Sequence, residues 1–139
     1  MTNRSSTNSA SRSVIAVVAG LAVVVILSTL TDMVMHATGI IPPGAMWDPW
    51  DNALALGYRC LFTVAGGYLT ARLAPHARMA HAVALGLIGT AIGIAGVIAT
   101  AGLNLGPRWY PIALAASGLP CTWLGGLLNA RQAPQEGLS

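Results

Sequence analysis

The chain has 139 residues, of which 55% are hydrophobic and only 8% are charged, and its mean hydropathy is +0.66. A soluble domain needs about 25% charged residues to cover its surface, so this composition excludes a water-soluble globular protein. The formal net charge of +3 comes from arginines scattered singly along the chain. It lacks the basic stripe with interleaved aromatic residues that nucleic-acid binding requires, so no nucleic-acid partner is expected.

The first predicted element is a membrane span over residues 13–38. Residues 1–12, MTNRSSTNSASR, are polar and rich in Ser, Thr and Asn, which predicts a disordered cytoplasmic tail. The apolar run from Ser13 is longer than the roughly 7–15 residues of a signal-peptide core, and no convincing cleavage site follows it. We therefore expect a retained span.

Three further spans follow, separated by short loops that contain proline. Pro42 and Pro43 end the first span, because proline lacks the amide donor that a helix needs. A spanning helix takes roughly 20 mostly apolar residues, and the remaining apolar runs have that length. The spans are predicted at about 52–73, 79–103 and 109–130, with a short cytoplasmic tail over 132–139. The fold class is thus all-α membrane, an antiparallel bundle of four transmembrane helices.

The arginines predict the orientation of this bundle. Five of them (Arg4, Arg12, Arg72, Arg78 and Arg131) fall on one side of a four-span topology, and Arg108 alone falls on the other. Positive residues stay on the cytoplasmic side, so both termini are expected there. Arginine without lysine, among abundant Ala and Gly, is typical of a GC-rich bacterial genome, which indicates the plasma (inner) membrane of a bacterium.

The sequence also repeats. GGYLTAR at residues 66–72 recurs as GGLLNAR at 125–131, at equivalent ends of spans two and four. The repeat predicts two tandem helical hairpins related by an axis along the membrane normal. The alternative is that Ala, Leu and Gly coincide easily in membrane helices.

The motif G-G-Y-x-x-A-R-L-A-P at residues 66–75, with Ala80-His81 after it, resembles small four-span bacterial membrane proteins of uncharacterised function. The likeness covers residues 13–131. It implies the same topology and attaches no activity.

Asp32 and Arg59 are the charges that most need an explanation. A charge at the centre of a span costs roughly 2.5–3.5 kcal/mol on insertion scales. Asp32 lies about 9 Å, and Arg59 about 11 Å, from the outer ends of their spans at 1.5 Å per residue. Matching depth on adjacent helices predicts an ion pair. His36, one turn beyond Asp32, is expected to reach the carboxylate or water, and Tyr58 to cover the cluster.

This cluster has two interpretations. It is either polar glue that fixes the register of the first hairpin or a proton or substrate site, since ionisable residues within membranes often mark pathways. At the position of the second repeat that is equivalent to Arg59 the residue is Leu119, and the second repeat has no charges that correspond to the cluster. Repeat packing alone therefore does not require the cluster.

Glycines predict a packing seam on span three. Gly86, Gly89, Gly93 and Gly96 follow a 3, 4, 3 spacing, which allows close approach of a neighbouring backbone. A ridge of small residues on span four is its expected partner: Ala113, Ser117, Cys121 and Gly125.

No catalytic residues, metal or cofactor are predicted. Cys60 and Cys121 lie within apolar runs, without the Cys or His neighbours of a zinc site, and known nucleotide-binding and hydrolase motifs are absent. The first functional hypothesis is a non-enzymatic membrane protein that packs against itself or a membrane partner. The alternative is a small oligomeric transporter or ion-coupled permease using Asp32, His36 and Arg59. An intramembrane enzyme ranks third, because no nucleophile accompanies Asp32 and His36.

Overall fold

A computed structural model describes residues 3–133, with side chains from Ser6 onward, and this part of the chain is helical apart from its loops. Three of its helices are long enough and apolar enough to cross a membrane, and many of their large apolar side chains are exposed, as lipid-facing surfaces are. The chain is therefore a helical membrane protein. Its four helices are α1 (Asn3–Ala37), α2 (Pro49–Leu73), α3 (Arg78–Thr100) and α4 (Trp109–Gln132).

The helix that falls outside those three is α2. It carries Asp51, Arg59 and Arg72, but it packs against all three other helices. Eight of its residues are buried, which is the largest buried set of any helix here. The neighbouring helices therefore cover polar groups that lipid would not tolerate.

Local chemistry sets most helix ends near their predicted positions. Asp48 is the N-cap of α2, its side chain accepting a hydrogen bond from the Trp50 amide at 2.9 Å, and Pro49 occupies the first turn. Proline suits that position because its missing amide would be unpaired there anyway. The helix therefore starts three residues before the predicted 52, and α3 ends at Thr100 rather than 103.

The N-terminal prediction was wrong. Residues 3–12 are not a disordered tail but the first turns of α1. Within them the Ser11 hydroxyl donates to the Thr7 carbonyl at 2.9 Å, and Ser9 Oγ lies 3.3 Å from His76 Nδ1 in the turn between α2 and α3. This tertiary contact supports a segment whose composition alone does not favour a helix. Of the predicted C-terminal tail, residues 134–139 lie outside the described residues.

Around the bundle the neighbour order is α1, α2, α4, α3, and α1 and α3 touch only loosely. Within the described residues α1 makes no close contact with α4. A two-fold axis parallel to the helices would exchange α1 with α3 and α2 with α4. This exchange places the helices around the bundle in the order α1, α2, α3, α4. The packing therefore does not follow the axis that the repeat predicts.

The repeated Gly-Gly pairs show the same departure. Gly66 packs against α1 and Gly67 against α4, whereas Gly125 packs against α2 and Gly126 against α3. In each pair, one glycine contacts the other helix of the same hairpin and one contacts a helix of the other hairpin. The first glycine of the first pair contacts its own hairpin, whereas in the second pair it is the second glycine that does so. A Cβ at Gly67 would lie only 2.7 Å from Thr122 Cα, so these glycines let α2 and α4 approach closely.

The seam on α3 has two contact positions and two open ones. A Cβ at Gly93 would lie 2.9 Å from Ala115 Cα, and one at Gly86 would lie 3.0 Å from Leu119 Cα. Nothing lies within 4 Å of a Cβ at Gly89 or Gly96. Residues seven apart on a helix share a face, while residues three apart are rotated by about 60°, which accounts for the alternation.

The ridge predicted on α4 does not face α3. Its Gly125 packs against Val64 and Tyr68 of α2. The α4 residues that meet the α3 glycines are instead Ala115 and the pair Leu119 and Thr122. The prediction chose the wrong face of α4 because α4 has small residues on both sides, one for each neighbouring helix.

Two loops close the end of the bundle opposite the start of α1 and the end of α4. The Met46 amide donates to the Leu105 carbonyl at 2.8 Å, which joins the loop after α1 to the loop after α3. Asn52 is 1% exposed, and its Nδ2 donates to the Met46 and Asp48 carbonyls at 2.9 and 2.8 Å. Ile41 from the first loop is buried against Ala55 and Tyr58. This end of the molecule is therefore a packed cap.

Candidate functional site

The charged cluster joins α1 to α2. Both carboxylate oxygens of Asp32 accept hydrogen bonds from α2: Oδ1 from the Tyr58 hydroxyl and Oδ2 from Arg59 Nη2, the second being an ion pair. Tyr58 and Arg59 are consecutive, so their side chains leave the helix about 100° apart. They converge because the two oxygens of one carboxylate face different directions. Among the described residues this is the single Asp–Arg ion pair.

Polar and small residues at helical spacing form a stripe on α2 that is buried or half-buried along its length: Asn52, Arg59, Thr63, Gly66 and Thr70. Near the opposite end from the ion pair, Thr70 is fully buried and donates to the Ala16 carbonyl of α1 at 3.2 Å. A Cβ at Gly20 would collide with Thr70 and Gly66, so α1 and α2 are closest at this level. Sequence reasoning missed Gly20. Its signal was available, because a lone glycine within an apolar helix usually has a packing reason.

His36 does not join the cluster. Its Nδ1 lies 3.1 Å from the carbonyl oxygen of Ile41, in the loop that follows α1. The Ile41 amide in turn donates to the Met35 carbonyl at 3.2 Å. His36 therefore ties the end of α1 to its loop, while the Ile41 amide satisfies the Met35 carbonyl, one of the backbone groups that a helix terminus leaves unpaired.

The ion pair is not sealed. The side chains of Arg59 and Asp32 are 30% and 28% exposed, respectively. They border a cavity of about 300 Å³ to which all four helices contribute, including Ser28 from α1, Gly89 from α3 and Thr122 from α4. Most of its lining is apolar, and its polar groups are the ion pair and a few hydroxyls, beside which there is room for water molecules. The missing side chain at Gly89 contributes to this space rather than to a helix contact.

One donor of the cluster is unused. Arg59 Nε is buried and has no hydrogen-bond partner within the described residues. A buried guanidinium N–H without an acceptor is unfavourable. The polar Ser28 and Thr63 line the same cavity as Arg59.

The arrangement holds charge, but it brings no metal-binding or nucleophilic set together. Within the described residues no group of three His, Cys, Asp or Glu side chains could hold a metal ion. Cys60 and Cys121 are free thiols and are partly buried. Chemically, the site offers a carboxylate held by two donors, beside a small and mostly apolar cavity.

The chain matches no protein-family model, no curated protein and no solved structure.

Proposed function

We propose that all four helices cross the membrane, with both termini on the cytoplasmic side of a bacterial plasma membrane. The 25 residues of α2 span about 37 Å at 1.5 Å each, more than the roughly 30 Å hydrocarbon core. Asp51, Asn52, Tyr58 and Thr70 of α2 are buried against protein, Arg59 is half-buried, and the exposed Arg72 lies in the last turn of the helix. The one-sided arginine distribution supports the orientation. The likeness of GGYLTARLAP to small four-span bacterial membrane proteins favours the same topology.

We further infer that the hairpins α1–α2 and α3–α4 descend from one duplicated unit whose packing then diverged. The GGYLTAR and GGLLNAR segments support a common origin. In both copies the Gly-Gly pair lies at a crossing of three helices, which gives the two copies a shared use for this motif.

Our functional proposal is a non-enzymatic membrane protein that acts by packing, either with copies of itself or with another membrane protein. The observation that carries this proposal is the bonding of Asp32, whose two carboxylate oxygens both accept hydrogen bonds from side chains of α2. A carboxylate held by an arginine and a tyrosine is suited to fixing two helices together.

The test is a proteoliposome experiment combined with a size measurement. The parent protein and the Asp32→Asn variant are reconstituted, and proton, sodium and potassium fluxes are compared with empty liposomes. We expect no flux above background from either. Light scattering in mild detergent is expected to show an oligomer or a co-purified membrane protein. A flux that Asp32→Asn abolishes would contradict the proposal.

The second candidate is a small oligomeric transporter or ion-coupled permease. The observation that favours it is the cavity of about 300 Å³ beside an ion pair whose side chains are 28–30% exposed. Ionisable groups next to water inside a membrane often belong to pathways. This candidate requires Asp32-dependent flux and an oligomer, because four helices enclose little space. A strictly monomeric, flux-free protein would reject both candidates.

A further inference from the structure

A second and larger cavity lies at the capped end of the bundle, away from the ion pair. It has a volume of about 600 Å³, within the roughly 300–1,000 Å³ of small-molecule sites. Its walls come from the C-terminal end of α3, the N-terminal end of α4 and both loops at that end. Most of the lining is apolar, and Val97, Leu105 and Ile112 contribute to it.

The cavity has a defined frame. The Met46–Leu105 hydrogen bond holds the two loops together, and the buried carboxamide of Asn52 ties the first loop to α2. Met46, Leu105 and Asn52 all line the cavity. Gly106 has φ +151°, and a Cβ there would collide with the Met46 carbonyl. The loops therefore meet in a fixed arrangement in which a glycine is required.

The charge of the lining is one-sided. Arg108 lines the cavity and is exposed, and the lining includes no Asp or Glu. Arg108 makes no ion pair within the described residues. Such a site attracts an anion and offers no carboxylate to the ammonium group of a zwitterionic headgroup.

Exposed tryptophans surround this end of the molecule. Trp47, Trp50 and Trp109 are 60%, 72% and 43% exposed. Tryptophan with its ring in apolar surroundings and its N–H near water is typical of the membrane–water interface. The cavity thus lies at the level of lipid headgroups, with its apolar walls toward the acyl chains.

We propose that this cavity binds an anionic glycerophospholipid of the bilayer, with its phosphate at Arg108 and part of one acyl chain against Val97, Leu105 and Ile112. The apolar walls, the unpaired guanidinium and the interfacial level each point to this chemistry. The site is separate from the Asp32 cluster and does not depend on the function proposed for that cluster.

The test uses native mass spectrometry of the detergent-solubilised full chain with phosphatidylglycerol or phosphatidylcholine added at equal concentration. We expect one phosphatidylglycerol to bind preferentially. A charge-assisted contact is lost in Arg108→Gln, so its affinity should fall at least about tenfold and the preference should vanish. Arg131→Gln, which removes the same charge from an exposed position at the opposite end, is the control and should bind as the parent does.

A second pair of variants tests the cavity itself. Val97→Phe places a larger ring at the cavity wall and should lower phosphatidylglycerol binding, whereas Ile98→Phe, at a neighbouring position that is 71% exposed, should not. The proposal is overturned if Arg108→Gln or Val97→Phe binds phosphatidylglycerol as the parent does. It is also overturned if phosphatidylcholine binds equally well, or if palmitate binds as tightly and displaces the phospholipid, which would make this a fatty-acid site.

Discussion

Asp32 is the residue whose position most constrains the interpretation of this protein. A carboxylate in an apolar helix carries a cost of roughly 2.5–3.5 kcal/mol at the bilayer centre. Arg59 and Tyr58 offset that cost by giving each oxygen a donor. The partial exposure of the pair places its strength between that of surface pairs, at about 0–1 kcal/mol, and buried pairs, whose disruption costs about 3–5 kcal/mol.

A double-mutant cycle tests the pairing. Asp32→Asn and Arg59→Leu should each lower the free energy of unfolding by about 1–3 kcal/mol, because each leaves the other charge without its partner. The double variant should lose less than the sum. Unfolding from mild detergent into SDS gives the measurement, and Arg72→Leu, at an exposed position on the same helix, is the control. Strictly additive losses would show that the two side chains do not interact.

Tyr58→Phe separates the hydroxyl from the ring. The ring is buried against Ile41 and Ala55 and is kept, while the donor to Asp32 is lost. We expect a loss of about 1 kcal/mol, below the roughly 1.5–3 kcal/mol typical of hydrogen bonds to charged groups, because water in the cavity that Asp32 borders can replace the donor. Tyr68→Phe is the matched control. Its hydroxyl donates to Gln132 at 2.6 Å at an exposed site, so its loss should be smaller. Equal losses would mean that the Tyr58 hydroxyl has no special role.

At the scale of elements, glycine position decides how the helices approach one another. The α3 glycines look equivalent in sequence, yet only Gly86 and Gly93 meet α4, while Gly89 and Gly96 leave open space. The seam is therefore made by residues seven apart, and the intervening glycines have other surroundings.

Identical substitutions on one helix test this difference. Gly93→Leu should destabilise the bundle by about 1–3 kcal/mol, because its side chain would overpack the contact with Ala115. Gly96→Leu should be neutral or stabilising, because it meets nothing and replaces glycine with a better helix former. Thermal unfolding in detergent compares them. Equal destabilisation by both would contradict the assigned faces.

At the scale of the whole molecule, the status of α2 decides the topology. Four spans place both termini on one side of the membrane, and three spans would place them on opposite sides. The side of each terminus can be measured by labelling with an impermeant maleimide, in sealed cells and after lysis. The labelled variants are Ser6→Cys and Ser139→Cys, each made in a background of Cys60→Ala and Cys121→Ala. We expect both to react only after lysis. Reaction of one alone in intact cells would remove α2 from the spans.

The sequence by itself determined the class of the protein and most helix ends. Composition required lipid as the solvent, and prolines at 42, 43, 49 and 75 bounded the first helices, because the effect of proline on a backbone is local. The matching distances of Asp32 and Arg59 from the outer ends of two consecutive helices were also sufficient to suggest that the two side chains meet. Short connections make such helices neighbours.

Only the tertiary structure decided which helices are neighbours across the bundle and which side chains share a site. Periodicity defines a face of a helix but not the helix that covers it, so Gly125 was expected at α3 and lies at α2. His36 has the spacing to approach Asp32, yet the loop that returns to Ile41 provides a nearer acceptor. The polar start of α1 is helical where its composition predicted disorder, and its Ser9 contacts the turn after α2. The His36 contact depends on how a loop five residues away folds back. The other two outcomes depend on segments distant in sequence, whose contacts no local pattern encodes.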